Sequence, residues 1–172
     1  DDVVDRLRNP SIGWAYVDQS VFFPDLFQLN DVRKLMVKRP FISTYEKLLS
    51  PVISLNKTML ISGYTHPPYK EMMQHILDAV PEINHYIILR GQEGSAQLPL
   101  DRRAPYVVSK NGKKVDDFIR PSDFKINEYK PELSNLDIDS IVTDGLNALK
   151  TQSGYVWDLI SYNASFILKN SS

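Results

Sequence analysis

Apolar residues recur along this chain in two rhythms, and each rhythm predicts a different element. After Pro24, the residues Leu26, Leu29, Val32, Leu35 and Met36 fall on one stripe at helical spacing, which predicts a helix. Ser43-Thr44-Tyr45-Glu46 has the form of a capping box, so a short helix is expected to start there and to end before Pro51. Residues 58–63, "TMLISG", read as a short buried strand. A helix follows with Met72, Met73, Ile76, Leu77 and Val80 on one face, Thr65 as candidate cap and prolines near its first turn. Residues 83–91, "INHYIILRG", predict a second strand. Strand, helix and strand at this spacing make a βαβ unit, with parallel strands and a right-handed crossover. Both strands end in glycine, Gly63 and Gly91, so their loops share one sheet edge, where α/β proteins bind ligands. Asn111-Gly112 between two strand-like runs predicts a hairpin, because both turn residues accept positive φ. Residues 137–150 and 155–168 read as helices, the second with Val156, Leu159, Ile160, Phe166 and Ile167 on its apolar face. The expected class is α/β: a mostly parallel sheet with flanking helices and a small antiparallel hairpin.

With 172 residues, 42% of them hydrophobic, the chain is long enough for one compact domain spanning residues 1–172. Net charge is −1, so no global field favours nucleic acid or membrane, and any electrostatic preference has to come from a local patch. The chain has no cysteine, which excludes disulfides, a thiolate nucleophile and cysteine-bound metal, and fits a cytoplasmic location. No apolar run reaches the length of a membrane span. Glycosylation sequons at Asn56, Asn163 and Asn170 carry little weight, since Asn163 lies inside an apolar helical pattern. A start at Asp1 rather than methionine suggests a fragment of a longer protein.

Candidate chemistry is sparse. His66, His75 and His85 show no metal-ligand spacing, and a lone loop histidine such as His66 is ordinarily a turn residue. Gly91-Gln92-Glu93-Gly94 could cradle an anion with its amides, but no helix clearly begins there and there is no Walker lysine pattern; a tight turn explains it as well. Charge is more suggestive. Between Asn30 and Lys57, Arg33, Lys34, Lys38, Arg39, Lys47 and Lys57 face only Asp31 and Glu46, a stretch of +4. Such a cluster suits phosphate or carboxylate groups, although a solvated helix face is an equal reading. A second cluster, Arg102, Arg103, Lys110, Lys113 and Lys114, is partly offset by Asp101, Asp116 and Asp117. No catalytic constellation can be assembled from the residues alone.

Several segments, in order, resemble the C-terminal part of anthranilate phosphoribosyltransferase-type proteins (glycosyltransferase family 3). "VRKLMVKRPFISTYEKLLSP" (32–51) is similar to the family's V-R-x-x-L-G-x-R-T-x-x-N-x-L-G-P-L-x-N-P segment, matching at Arg33, Arg39, Leu48 and Pro51. Its Asn and Gly-Pro positions read Ser43 and Glu46-Lys47, and the family's H-P dipeptide reads Phe23-Pro24. "LISGYTHPPYKEMMQHI" resembles the family's G-V-x-x-P strand and helix, and "ILRGQEGSAQL" its V-x-G-x-x-G-x-D-E-x loop. "VWDLISYNASFIL" resembles R-D-x-x-x-x-N-x-A-x-x-L, matching at Asp158 and Asn163.

The resemblance implies the C-terminal α/β domain of the nucleoside phosphorylase/phosphoribosyltransferase fold, without the N-terminal helical domain and the glycine-rich phosphate loop, and a homodimer in the full-length protein. It also implies that the loop's Asp-Glu pair, which holds magnesium on phosphoribosyl pyrophosphate in active members, is replaced here by Ala96 and Gln97. Two hard carboxylates suit a cation bridging a pyrophosphate; an alanine and an amide do not. Arg33 takes the family position that contacts an aromatic acid's carboxylate. Two functional readings follow. In the first, the chain belongs to a divergent branch that has lost magnesium-dependent transfer, needs no cofactor, and binds nucleic acid through Arg33, Lys34, Lys38, Arg39 and Lys47. In the alternative, it is an active phosphoribosyltransferase using anthranilate, phosphoribosyl pyrophosphate and magnesium, as in tryptophan biosynthesis, with the missing parts upstream. Phosphorolysis of a nucleoside, the other chemistry on this fold, has no specific support in the residues.

Overall fold

A computed structural model describes residues 2–36, 42–128 and 137–171. The chain divides into two units, Asp1–Val52 and Ile53–Ser172.

The first unit is a series of short helices: α1 (Asp2–Arg8), α2 (Gln19–Phe22), α3 (Pro24–Gln28), α4 (Asn30–Lys34) and α5 (Ile42–Tyr45), the last continuing into a 3-10 turn at Glu46–Leu48. Asp18 caps α2, its carboxylate accepting the Ser20 N–H at 2.8 Å. The single helix expected after Pro24 is two helices. The Leu29 N–H closes back on the Leu26 carbonyl at 3.2 Å, and the chain restarts at Asn30-Asp31, residues that favour helix starts over helix interiors. The break spoils the stripe: Leu26 is buried, whereas Val32 and Leu35 are 56% and 85% exposed. The expected capping box does not form. Ser43 lies inside α5, and the Glu46 carboxylate is taken by side chains instead. The helical stretch does end at Leu48, ahead of Pro51.

The second unit holds a four-stranded sheet in the order β1 (Met59–Gly63), β2 (His85–Leu89), β3 (Ala104–Lys110), β4 (Lys113–Ile119). β1 and β2 are parallel, joined by α6 (Pro67–Asp78), so the βαβ unit is as expected. The rest of the sheet is antiparallel, which corrects the expectation of a mostly parallel one. A parallel pairing needs a long crossover, usually a helix. Only α6 supplies one; residues 90–103 return from β2 to β3 with no more than a 3-10 turn at Gln92–Gly94. The hairpin between β3 and β4 turns at Asn111 and Gly112, with φ of 50° and 77°, the geometry that two-residue turns of this kind require. α6 starts one residue later than its candidate cap: His66 is the flanking residue, without a side-chain cap, and Pro67 opens the helix.

Alternation along the strands divides the core between two faces. On one, Ile87, Leu89, Ala104 and Ile119 pack with Leu98, Leu100, Tyr162 and Phe166, the last two from α8 (Tyr155–Ser171). Phe166 meets Tyr106 edge-on at 5.0 Å between ring centroids, and Tyr162 meets Phe124 at 5.6 Å. On the other face lie Leu60, Tyr86, Ile88 and Val107, with α6 contributing the buried Met73 and Leu77, each worth about 2 kcal/mol in burial. α7 (Ile138–Thr151) runs from an Asp137 cap to a left-handed Gln152. Among the described residues no helix is long and apolar enough to cross a membrane.

Candidate functional site

The loop after β2 is built around its own backbone. A Cβ on Gly63 would lie 1.7 Å from the Ser95 carbonyl oxygen, and one on Gly91 would lie 1.9 Å from the same atom. Both strand-end glycines are therefore needed so that the Ser95 peptide can sit against the sheet edge. The loop then closes on itself. The Gln92 N–H donates to the Gln97 carbonyl at 2.8 Å, the Ser95 N–H to Gln92 at 2.9 Å, and the Ser95 hydroxyl to the same Gln92 carbonyl at 2.7 Å. Gly94 N–H turns back to Gly91 and Gln97 N–H to the Ser95 hydroxyl. The Gln92 and Gly94 amides, spent this way, are not free to cradle an anion. Asn163 of α8 locks the exit, as its Oδ1 accepts the Leu98 N–H at 2.7 Å.

Ala96 and Gln97 are exposed at the crest of this loop. As hard-cation ligands they fit poorly: Ala96 has no side-chain donor, and the Gln97 amide leans toward Gln92, with Nε2 at 3.4 Å from its Oε1. Glu93, held at φ 51°, is the loop's one carboxylate. Among the described residues no group of three or more histidines and acids is arranged to hold a metal. The side chains of Ala96 and Gln97 do not fit as a carboxylate pair for a magnesium ion on a pyrophosphate.

In the first unit two of the five basic candidates, Arg33 and Lys34, pair with acids. Arg33 pairs with Glu46 through both terminal guanidinium nitrogens, one at 2.6 Å, and Gln19 donates to the same carboxylate at 2.9 Å. The pair is largely buried, with side chains 16% and 14% exposed, so each partner depends on the other. Lys34 meets Asp31 at 2.9 Å in full solvent, a pairing worth well under 1 kcal/mol and easily exchanged. Both cations line an open depression of about 580 Å³ with Phe27, Gln28, Asn30 and Asp31. Lys47 follows Glu46 in the 3-10 turn, half-buried. Lys38 and Arg39 lie outside the described residues. The sequence pattern missed Glu46 as the partner of Arg33. Its signal was present, an acid thirteen residues on in a basic stretch, but it reads equally well as a helix cap.

The second basic cluster separates along the hairpin. Arg102 and Arg103 precede β3, while Lys110, Lys113 and Lys114 surround the turn at its far end. There Lys114 joins Asp78, whose other oxygen accepts the Tyr86 hydroxyl at 2.8 Å. Partial burial pushes the Asp78 carboxyl up, but the hydrogen bonds from Lys114 and Tyr86 outweigh it and hold the group below its ordinary value. This pins the end of α6 to the hairpin. Of the histidines, His66 flanks α6 and His75 turns its ring to the Glu71 carbonyl at 2.8 Å. His85 is buried, with neither ring nitrogen hydrogen-bonded.

No protein-family model matches the chain. An uncharacterized protein of Aquifex aeolicus (strain VF5) is 31% identical over 137 residues, 76% of this chain and 42% of that protein. Among solved structures, anthranilate phosphoribosyltransferase from Saccharomyces cerevisiae in complex with 4-fluoroanthranilate is similar at TM-score 0.61 and 15% identity, across 98% of this chain and 56% of that one. The chain thus has an anthranilate phosphoribosyltransferase-like fold, as a distant relationship, and spans less than two thirds of either protein.

Proposed function

We propose that this chain is a phosphoribosyltransferase-like protein that does not carry out magnesium-dependent transfer and that binds nucleic acid through the basic residues of its first unit. The observation that carries the first half is the Gly91–Leu98 loop: its backbone is fixed by two glycines and its own hydrogen bonds, yet its crest presents Ala96 and Gln97 rather than two acids. A cation bridging a pyrophosphate needs charged oxygens there. The second half rests on charge. Lys34 and Arg33 line one depression, and Lys34 can trade Asp31 for a phosphate at little cost. Lys38, Arg39 and Lys47 extend the same stretch. Contacts of this kind give affinity with little sequence preference and a steep salt dependence.

The test is a pair of titrations. Calorimetry with phosphoribosyl pyrophosphate, with and without magnesium, is expected to show no magnesium-dependent binding; a tight magnesium-dependent complex overturns the first half and restores the transferase. Filter binding of duplex and single-stranded DNA is expected to weaken steeply between 50 and 200 mM salt and to fall about tenfold for Lys34→Glu with Lys47→Glu. Salt-insensitive binding, or none, overturns the second half.

A further inference from the structure

Three arginines far apart in sequence meet at one corner of the sheet. Arg90 follows β2, Arg103 precedes β3 and Arg120 follows β4, all at the edge that carries the Gly63 and Gly91 loops. The register brings them together. Ala104 pairs with Ile119, and Arg103 and Arg120 are the residues next to that pair, just beyond the two strands. The Arg90 N–H donates to the Pro105 carbonyl at 2.9 Å, two residues from Arg103 on the adjacent strand. Strand alternation places all three on the α6 side, opposite to Leu89, Ala104 and Ile119.

Four acids of this part of the chain are already engaged. Asp101 binds Arg102 at 2.8 Å, Asp116 binds Lys70 at 2.5 Å, and the Asp123 carboxylate accepts the Arg120 backbone N–H at 2.8 Å. Asp117 accepts the Phe118 N–H and faces the other side of the sheet. None of the three arginines forms an ion pair among the described residues, and all three are exposed. Beside them an aromatic ring stands in solvent: Phe118 is 50% exposed, with the Arg103 guanidinium 4.5 Å from its centroid. A flat guanidinium on a flat ring offers stacking as well as charge.

We infer that Arg90, Arg103, Arg120 and Phe118 form a binding ledge for a phosphate ester carried beside a planar heteroaromatic ring, as in a nucleotide, free or within a single strand. The guanidiniums take the phosphate oxygens through paired N–H donors, and the base stacks on the Phe118–Arg103 platform. This goes beyond the reading of the first unit and uses none of its residues.

The experiment is fluorescence polarisation with the whole chain and fluorescein-labelled (dT)12, with thymidine 5′-monophosphate and inorganic phosphate as competitors. Substituting Arg90→Gln, Arg103→Gln and Arg120→Gln together is expected to weaken (dT)12 binding at least tenfold. It should also lower the steepness of the log–log salt dependence by about 2, three phosphate contacts at about 0.7 each. Phe118→Ala keeps every charge and is expected to cost threefold or more. Circular dichroism checks that each variant is folded; these side chains are exposed, so single Gln variants supply the measurement should the triple one fail. Competition by the mononucleotide at a comparable per-site affinity identifies a free nucleotide as the ligand, and its failure to compete identifies the strand. Affinity within twofold of wild type in the triple Gln variant overturns the inference. So does a Phe118→Ala variant that binds normally, or inorganic phosphate competing as well as the mononucleotide. Loss confined to Lys34→Glu with Lys47→Glu overturns it while leaving the first-unit reading intact, and the converse pattern does the reverse.

Discussion

Asn163 and Leu98 are bonded in both directions. The Asn163 Oδ1 accepts the Leu98 N–H at 2.7 Å, and its Nδ2 faces the Leu98 carbonyl at 3.4 Å while donating to Leu159 at 2.8 Å. The carboxamide thus does for Leu98 what a neighbouring strand would do, tying the loop after β2 to α8. Asn163→Ala leaves a buried amide without a partner and is expected to cost about 1–3 kcal/mol, read as a fall in the urea midpoint at unchanged slope. A side chain engaged in this way is also a poor glycosylation acceptor, whatever its sequon.

Gly63→Ala and Gly91→Ala should act on the same loop from the sheet side. Each new methyl falls inside the Ser95 peptide, so backbone has to move. A loss of about 2 kcal/mol or more is expected, with faster hydrogen exchange at the Gln92 and Ser95 amides. Unchanged exchange in a folded variant would count against the packing described.

Ala96→Asp with Gln97→Glu restores two acids at exposed positions. The double variant is expected to keep the wild-type melting temperature within a few degrees and to bind magnesium more tightly than the wild type in calorimetry. A loop unable to bring the two carboxylates onto one ion would show no heat.

Glu46→Gln removes the charge facing Arg33. Because that pair is mostly buried, stability should fall by about 1–3 kcal/mol, and DNA affinity should rise roughly threefold as the guanidinium is released. Stability is read by urea titration and affinity by filter binding, so the opposite signs can be seen in one variant.

His85 predicts an acid-sensitive fold. Burial holds its imidazole below the ordinary value, with the Lys57 and Lys110 cations adding to the effect and the Asn170 backbone opposing it without a well-formed hydrogen bond. The folded state therefore binds a proton less readily than the unfolded chain. Its contribution is fully present above the unfolded value near 6.5 and is lost as pH falls from there through the folded value. The urea midpoint should drop between pH 7 and pH 5, and His85→Gln should flatten that dependence.

Much of the second unit was legible because local signals agreed with the fold. The strand at 58–63, the helix bearing Met73 and Leu77, and the Asn111-Gly112 turn all fall where periodicity and turn chemistry put them. What failed depended on distant partners. The sheet's direction was set by the absence of a second crossover helix, which residues 90–103 do not announce. The stripe from Leu26 to Met36 was spoiled by two polar residues, Asn30 and Asp31, that restart a helix. The ion pair of Arg33 went unread because Glu46 looked like a cap. Arg90, Arg103 and Arg120 were invisible as a group, since only strand register makes neighbours of residues tens of positions apart.

The peptide of Ser95, wedged on two bare α-carbons, has a consequence for how this corner can change over time. Its shape is written in main chain, so the residues displayed at its crest are interchangeable ornaments on a fixed mount. Lineages could shed one set of functional groups and acquire another there without the scaffold registering the exchange.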